Sequence, residues 1–219
     1  MKKFIKALLI ITLAFCLCSC KQEKVNIEPL DEDFGFGSKE DNDDTSQLDI
    51  NVEEFEDGKT YVFSKFIDNV DDLKKLDITD EYQGVCAVIF ALAVFETNPD
   101  KAREMLEYIN GPEDVSEFDI DFIENQIDQY PYVMRSYFDG TSPEEDYELK
   151  DISITIKENI YSRDEKGYVK MWLHSTGADS DRYVMLRKKE STNEWFLFSD
   201  TYKGLMAGIR APKIQDKWS

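Results

Sequence analysis

The sequence predicts an α+β fold: a helical N-terminal half, built around one buried helix at about 80–96, packed on a C-terminal four-stranded antiparallel sheet. Three observations carry this expectation. Gly84-Val85-Cys86-Ala87-Val88-Ile89-Phe90-Ala91-Leu92-Ala93-Val94-Phe95 is an uncharged, wholly apolar run. It is too long for an ordinary strand and too short to cross a bilayer, so it reads as a helix enclosed by the rest of the fold. The hydrophobic period is helical up to about residue 138 and becomes two from Ile152 onward. The connections between the later apolar segments are short and polar, as antiparallel neighbours require. Helices first and strands second is the pattern of one antiparallel sheet with helices on one face.

Each element has its own signal. Phe63, Phe66, Ile67 and Val70 fall at i, i+3, i+4 and i+7, predicting a short amphipathic helix. Asp80, with Gln83 three residues on, predicts an N-cap and capping box for the apolar helix. Gly84, Ala87 and Ala91 form a small-residue stripe on it. Asn98-Pro99 supplies a cap and a proline at the first helical position of the next helix. Its buried face is Ala102, Met105, Leu106 and Ile109, and Gly111-Pro112 ends it. Ser116 and Asp119 open a fourth helix facing inward through Phe118, Phe122, Ile123 and Ile127. Pro131 opens one or two further turns with Val133, Met134 and Tyr137. Strands follow at about 152–156, 168–174, 182–188 and 194–198.

The N-terminus is an address rather than a structural element. Met1-Lys2-Lys3-Phe4-Ile5-Lys6 is a basic start, residues 7–17 are apolar, and Leu17-Cys18-Ser19-Cys20 follows at once. This is the secretory pattern. Its last four residues resemble a bacterial lipobox, which implies diacylglyceryl transfer to the Cys20 sulfur and cleavage before Cys20. The expected organisation is a lipoprotein signal peptide at 1–19, a lipidated cysteine with an acidic, disordered tether at 20–58, and a single domain at 59–219. Acyl chains on Cys20 would hold the protein at the extracellular face of the cell membrane. Of the four cysteines, only Cys86 then stays free, so the domain has no internal disulfide and stands on its core.

Composition excludes one class of partner. The chain carries a formal charge of −20, and loss of the basic signal peptide makes it more acidic still. Nucleic-acid binding needs a cationic surface, so it is not expected. Charge is unevenly spread, however: residues 182–219 hold eight basic side chains against four acidic ones. Alternation along 168–174 puts Val169, Met171 and Leu173 on one face. Tyr168, Lys170, Trp172 and His174 fall on the other, beside Tyr183 and Arg187 if the second and third strands pair. Aromatics and cations together suit an anionic or sugar-containing envelope polymer. Such a face is open for binding unless the segment from Thr201 onward folds back over it. Lys188 and Lys189 add charge at the end of the third strand.

Little else points to chemistry. Cys86 with His174 is the one constellation for a nucleophilic hydrolase. A thiolate needs a helix N-terminus or a cation to lower its pKa, and with a cap at Asp80 the thiol lies in the second turn among apolar neighbours. No glycine-rich phosphate loop and no metal-spaced His/Cys cluster is present, so no cofactor is expected. The first reading is therefore a non-enzymatic binding or interaction domain at the envelope, its partner an envelope polymer or another envelope protein, and the alternative is an envelope cysteine hydrolase using Cys86 and His174.

Several fragments together resemble an uncharacterised family of secreted and envelope proteins from Gram-positive bacteria, a domain of unknown function. They are Gly84-Val85-Cys86-Ala87, Asn110-Gly111-Pro112, Arg135-Ser136-Tyr137-Phe138-Asp139-Gly140, Ser175-Thr176-Gly177-Ala178-Asp179-Ser180, Leu186-Arg187-Lys188-Lys189, Trp195-Phe196-Leu197 and Gly208-Ile209-Arg210-Ala211-Pro212-Lys213. The resemblance spans about 84–218. It implies a shared fold and no activity.

The anchor yields the first prediction. Cys20→Ser abolishes acylation, leaving the precursor uncut or releasing the protein to the medium. Cell fractionation reads this directly, and a processed, membrane-held mutant would rule out the lipobox.

Overall fold

The computed structural model describes residues 47–198 and 200–213. The signal peptide, Cys20 and the first part of the acidic segment lie outside these residues. The described elements run in the order β1 (Ile50–Phe55), β2 (Gly58–Phe63), α1 (Val70–Leu73), α2 (Glu81–Ala93), α3 (Pro99–Asn110), α4 (Glu117–Gln129), β3 (Ile152–Lys157), β4 (Tyr168–Leu173), β5 (Arg182–Lys189) and β6 (Glu194–Leu197). Short 3-10 turns follow α2 at Val94–Glu96, α4 at Met134–Tyr137 and β6 at Thr201–Met206.

This architecture corrects the expected four-stranded sheet behind a helical N-terminal half. All six strands form one antiparallel sheet in sequence order, curled into a half-barrel. The first two strands are a hairpin within 50–63, where an acidic tether and then an amphipathic helix were expected. The spacing of Phe63, Phe66, Ile67 and Val70 mimics a helix, but Phe63 closes β2 and helical structure begins only at Val70. In β2 the true period is two. Tyr61 and Phe63 point into the core, while Thr60 and Val62 face out. β1 is harder to see because only Ile50 is partly covered and the rest of the strand is exposed. Backbone pairing from Ile50↔Phe63 to Phe55↔Gly58 holds it. Its Glu53 and Glu54 are the kind of charge that keeps a sheet edge from pairing with other chains.

α2 fills the concave side of the curl. Asp80 caps it, its carboxylate accepting from the Tyr82 N–H at 3.0 Å. The capping box does not close: the Gln83 side chain instead accepts from the Asp77 N–H. Every residue from Gly84 to Ala93 is buried. Gly84 lets the helix settle on β5 and β6, since a Cβ there would come within 3.0 Å of Leu186 Cδ1 and 3.5 Å of the Trp195 carbonyl. The sheet side of the core is Tyr61, Phe63, Ile154, Ile156, Val169, Met171, Leu173, Val184 and Leu186. α3 closes α2 from the other side through Ala102, Met105, Leu106 and Ile109. Phe90 packs edge-on against Phe63 and Phe66, with centroids at 4.9 and 5.3 Å.

The sheet is split between β3 and β4. These strands pair only at Ile156↔Leu173 and Lys157↔Trp172, then diverge. The segment after the 3-10 turn at Met134–Tyr137 fills the gap. The Asp139 N–H donates to the Ser153 carbonyl at 2.8 Å, and the Thr176 N–H donates to the Ser136 carbonyl at 2.9 Å. Buried hydroxyls join the two sides, Ser136 to Ser175 and Thr141 to Thr176, each at 2.8 Å. The Asp139 carboxylate accepts from Ser153 Oγ and Thr155 Oγ1, both at 2.8 Å.

Two predictions follow from this packing. Leu92→Ala leaves a cavity and costs ~2–5 kcal/mol, while Ala91→Leu overpacks the helix and costs ~1–3 kcal/mol. Both are read from the urea midpoint, and an unchanged midpoint in each would place α2 outside the core. The second concerns Asp72, which is buried. Burial alone would raise its pKa, but hydrogen bonds from Lys75, Lys65 and Asn69 outweigh that and hold it at about 2. A carboxylate with a depressed folded-state pKa contributes stability above its unfolded value and loses it as pH falls toward the folded value. The stability advantage of the wild type over Asp72→Asn is therefore full above about pH 4 and disappears as the pH falls toward about 2. Urea titrations at several pH values measure it.

Candidate ligand-binding face

The sheet has two faces of opposite character. Along β4, Val169, Met171 and Leu173 are buried against the helices, and Tyr168, Lys170 and Trp172 lie on the other side, only partly covered. β5 pairs beside it with Tyr168↔Arg187, Lys170↔Met185 and Trp172↔Tyr183 in register. Side chains opposite one another share a face, so the five residues expected to act together do stand together. β6 extends the face by one strand, with Arg187↔Phe196 paired and the Phe198 N–H donating to the Met185 carbonyl at 2.9 Å.

Contacts along this face repeatedly bring a cation onto a ring. The Trp172 and Tyr183 rings lie 5.2 Å apart, and Lys170 Nζ sits 4.9 Å from the Tyr183 centroid. Tyr168 meets Phe198 edge-on at 4.8 Å. The Arg187 guanidinium stands over both, at 5.7 and 5.9 Å. Exposed contacts of this kind are each worth ~0.5–1 kcal/mol, enough to orient a side chain while leaving it able to bind. Tyr183 is 38% exposed and the Arg187 side chain 53%. The indole N–H of Trp172 is enclosed without a hydrogen-bond partner.

The described part of the C-terminal segment does not lie over these residues. Its 3-10 turn, Thr201–Met206, continues beside β5, where Thr201 Oγ1 accepts from the Met185 N–H at 3.1 Å. It then turns toward the helices. Lys203 reaches Asp119 of α4 at 2.9 Å, and Tyr137 Oη donates to the Leu205 carbonyl at 2.7 Å. Tyr202, Leu205 and Met206 are buried there.

Phe196, Phe198 and the loop 110–113 belong to the face and were not expected on it. Alternation through Glu194, Phe196 and Phe198 carries the two phenylalanines, once β6 is known to pair with β5. The loop has no such signal. Gly111 ends α3 at φ 71° and lies directly against the Phe196 ring, where any Cβ would collide. That close approach brings Glu113 within 3.5 Å of Arg187. Of the two other cations expected here, Lys189 lies over Phe196 at 5.9 Å and Lys188 over Trp195 at 5.5 Å.

Cys86 and His174 are not assembled into a catalytic pair. Cys86 is fully buried in α2, and burial pushes its thiol well above the usual range. His174 is exposed just past β4, its Nδ1 lying 3.2 Å from Asp181 Oδ1. Among the described residues no group of three or more His, Cys, Asp or Glu is placed to hold a metal ion, and no helix is long and apolar enough to cross a membrane. Cys20 lies outside the described residues.

No curated protein and no solved structure matches the chain. A family model does match, over residues 38–213, a span that takes in the acidic β1, all six strands and the aromatic face. The chain belongs to that family, a domain of unknown function (DUF6935).

Proposed function

We propose that this chain is a lipid-anchored envelope protein that binds an anionic or sugar-containing envelope polymer through the outer face of β4, β5 and β6, without enzymatic activity. Cys20 carries the anchor at the extracellular face of a Gram-positive cell membrane, and the acidic segment ahead of β1 acts as the tether. The observation that carries the reading is the ladder Tyr168–Arg187–Phe196 beside Trp172–Tyr183, with Lys170 between. Rings stack on sugar faces, and cations supply charge-assisted bonds to acidic groups. The alternative, a hydrolase using Cys86 and His174, has against it a thiol that is fully buried and raised in pKa by that burial.

A double change tests the reading. Trp172→Ala with Arg187→Glu removes one ring and reverses one charge on a partly exposed face. Cooperative unfolding is expected to persist, while retention on purified cell-wall material weakens by roughly tenfold or more and becomes less sensitive to salt. Loss of stability with no selective change in retention would mean that the face is structural.

A further inference from the structure

At the β5–β6 end of the face there is a cavity of about 300 Å³. Phe196, Phe198 and Pro112 give it apolar walls, and Arg187, Lys189, Glu113 and Glu190 stand around it. Its volume is at the small end of small-molecule sites, which run from about 300 to 1,000 Å³. It therefore takes one ring rather than a stretch of chain. Each wall restricts what that ring is. Phe198, half-buried, offers ring surface, and Phe196, mostly covered by Gly111 and Lys189, contributes an apolar edge. Arg187 is held over the Phe198 and Tyr168 rings, with its fork available to a planar acid. The two carboxylates accept hydrogen bonds from hydroxyl groups, while Arg187, Lys188 and Lys189 outnumber them and favour an acidic group. A ring with one acidic group and several hydroxyls satisfies all of these at once. A simple aromatic acid does not.

We infer that this cavity is a subsite for a single acidic sugar unit, and that Glu113 holds the anion's place on Arg187 until the ligand displaces it. The inference rests on the polymer-binding reading and deepens it by naming the unit recognised. The Glu113–Arg187 separation of 3.5 Å, with both side chains more than half exposed, is that of a loose pair. Loose surface pairs are readily exchanged. The pair bridges the loop after α3 to the sheet, so an incoming carboxylate or phosphate would free the loop side chain without disturbing the loop backbone. That backbone is held separately, by the Asn110 side-chain amide donating to the Glu113 carbonyl at 2.6 Å.

Calorimetric titration of the purified protein with glucuronate, glucose 6-phosphate, glucose and benzoate tests this. At least one acidic sugar is expected to bind about tenfold more tightly than glucose and benzoate. Comparing the two acidic sugars tells which acid, carboxylate or phosphate, is preferred. Glu113→Gln is expected to tighten that binding roughly two- to fivefold by removing the internal competitor. Arg187→Gln is expected to abolish the preference over glucose. The inference fails if neither acidic sugar outbinds glucose, if benzoate binds as tightly, or if Glu113→Gln weakens binding or leaves it unchanged. Failure of the underlying reading looks different. In that case wild-type protein is not retained on cell-wall material, whatever the monosaccharides do.

Discussion

A helix with no polar face must be enclosed on every side, and that constraint governs this fold. α2 is buried from Gly84 to Ala93, so one flat sheet surface would leave half of it in water. The sheet curls around one side and α3 closes the other. Curling is helped by the split between β3 and β4, which pair at only two positions. The split would strand backbone N–H and carbonyl groups in the interior, an expensive condition. Ser136 and Asp139 satisfy them instead. The same junction gathers fragments far apart in sequence. Tyr147 Oη donates to the Arg210 carbonyl at 2.7 Å, over Gly177, whose own carbonyl accepts from the Arg210 N–H at 2.9 Å. Gly177 is required there because a side chain would occupy the space of the Tyr147 hydroxyl. Most of the fragments behind the family resemblance therefore lie either on α2 or at the junction that lets the sheet close around it.

What was legible in the sequence follows from which signals are local. α2, α3 and α4 were readable because each carries its own stop and start chemistry: Asp80, Asn98 and Ser116 all accept from backbone N–H groups in the first turn. Strands β4 and β5 were readable because one face of each is buried and the other is not. The β1–β2 hairpin was not. β1 buries almost nothing, so its composition is that of a solvated acidic segment, and its place in the sheet depends on backbone pairing that leaves no mark on side-chain pattern. In β2 the alternating pattern was hidden because Phe63 belongs equally well to a helical spacing with Phe66, Ile67 and Val70. The candidate face was half legible for the same reason. Alternation assigned Tyr168, Lys170 and Trp172 to one side of a strand, but the contribution of the 110–113 loop arises only when Gly111 meets Phe196 in space.

The two sheet faces differ in how much they contribute to the core. The inner face is committed to α2 by large, fully buried side chains. Apart from Phe196, which is buried, the outer face contributes little burial, and its ring and cation contacts are individually weak. Changes there cost the core little, whereas a methylene added at Ala91 is felt throughout a close-packed interior. Cys86 belongs to the first category. Its thiol is desolvated as part of the packing, and desolvation opposes the ionisation that nucleophilic chemistry needs.

A cationic face on a chain of net charge −20 poses a physical question: whether the whole-protein charge or the local charge decides which ligands approach. At physiological ionic strength the screening length is about 8 Å. Charges further away than that contribute little to the potential at Arg187. Glu113 is well inside this distance, at 3.5 Å. The field at the cavity is therefore set chiefly by the charges that line it, Arg187, Lys188 and Lys189 against Glu113 and Glu190. A net negative charge opposes the approach of other anions at long range, while the local balance can still favour an anion at close range. The two signs act over different distances, so added salt weakens the long-range repulsion before it weakens the short-range attraction at Arg187.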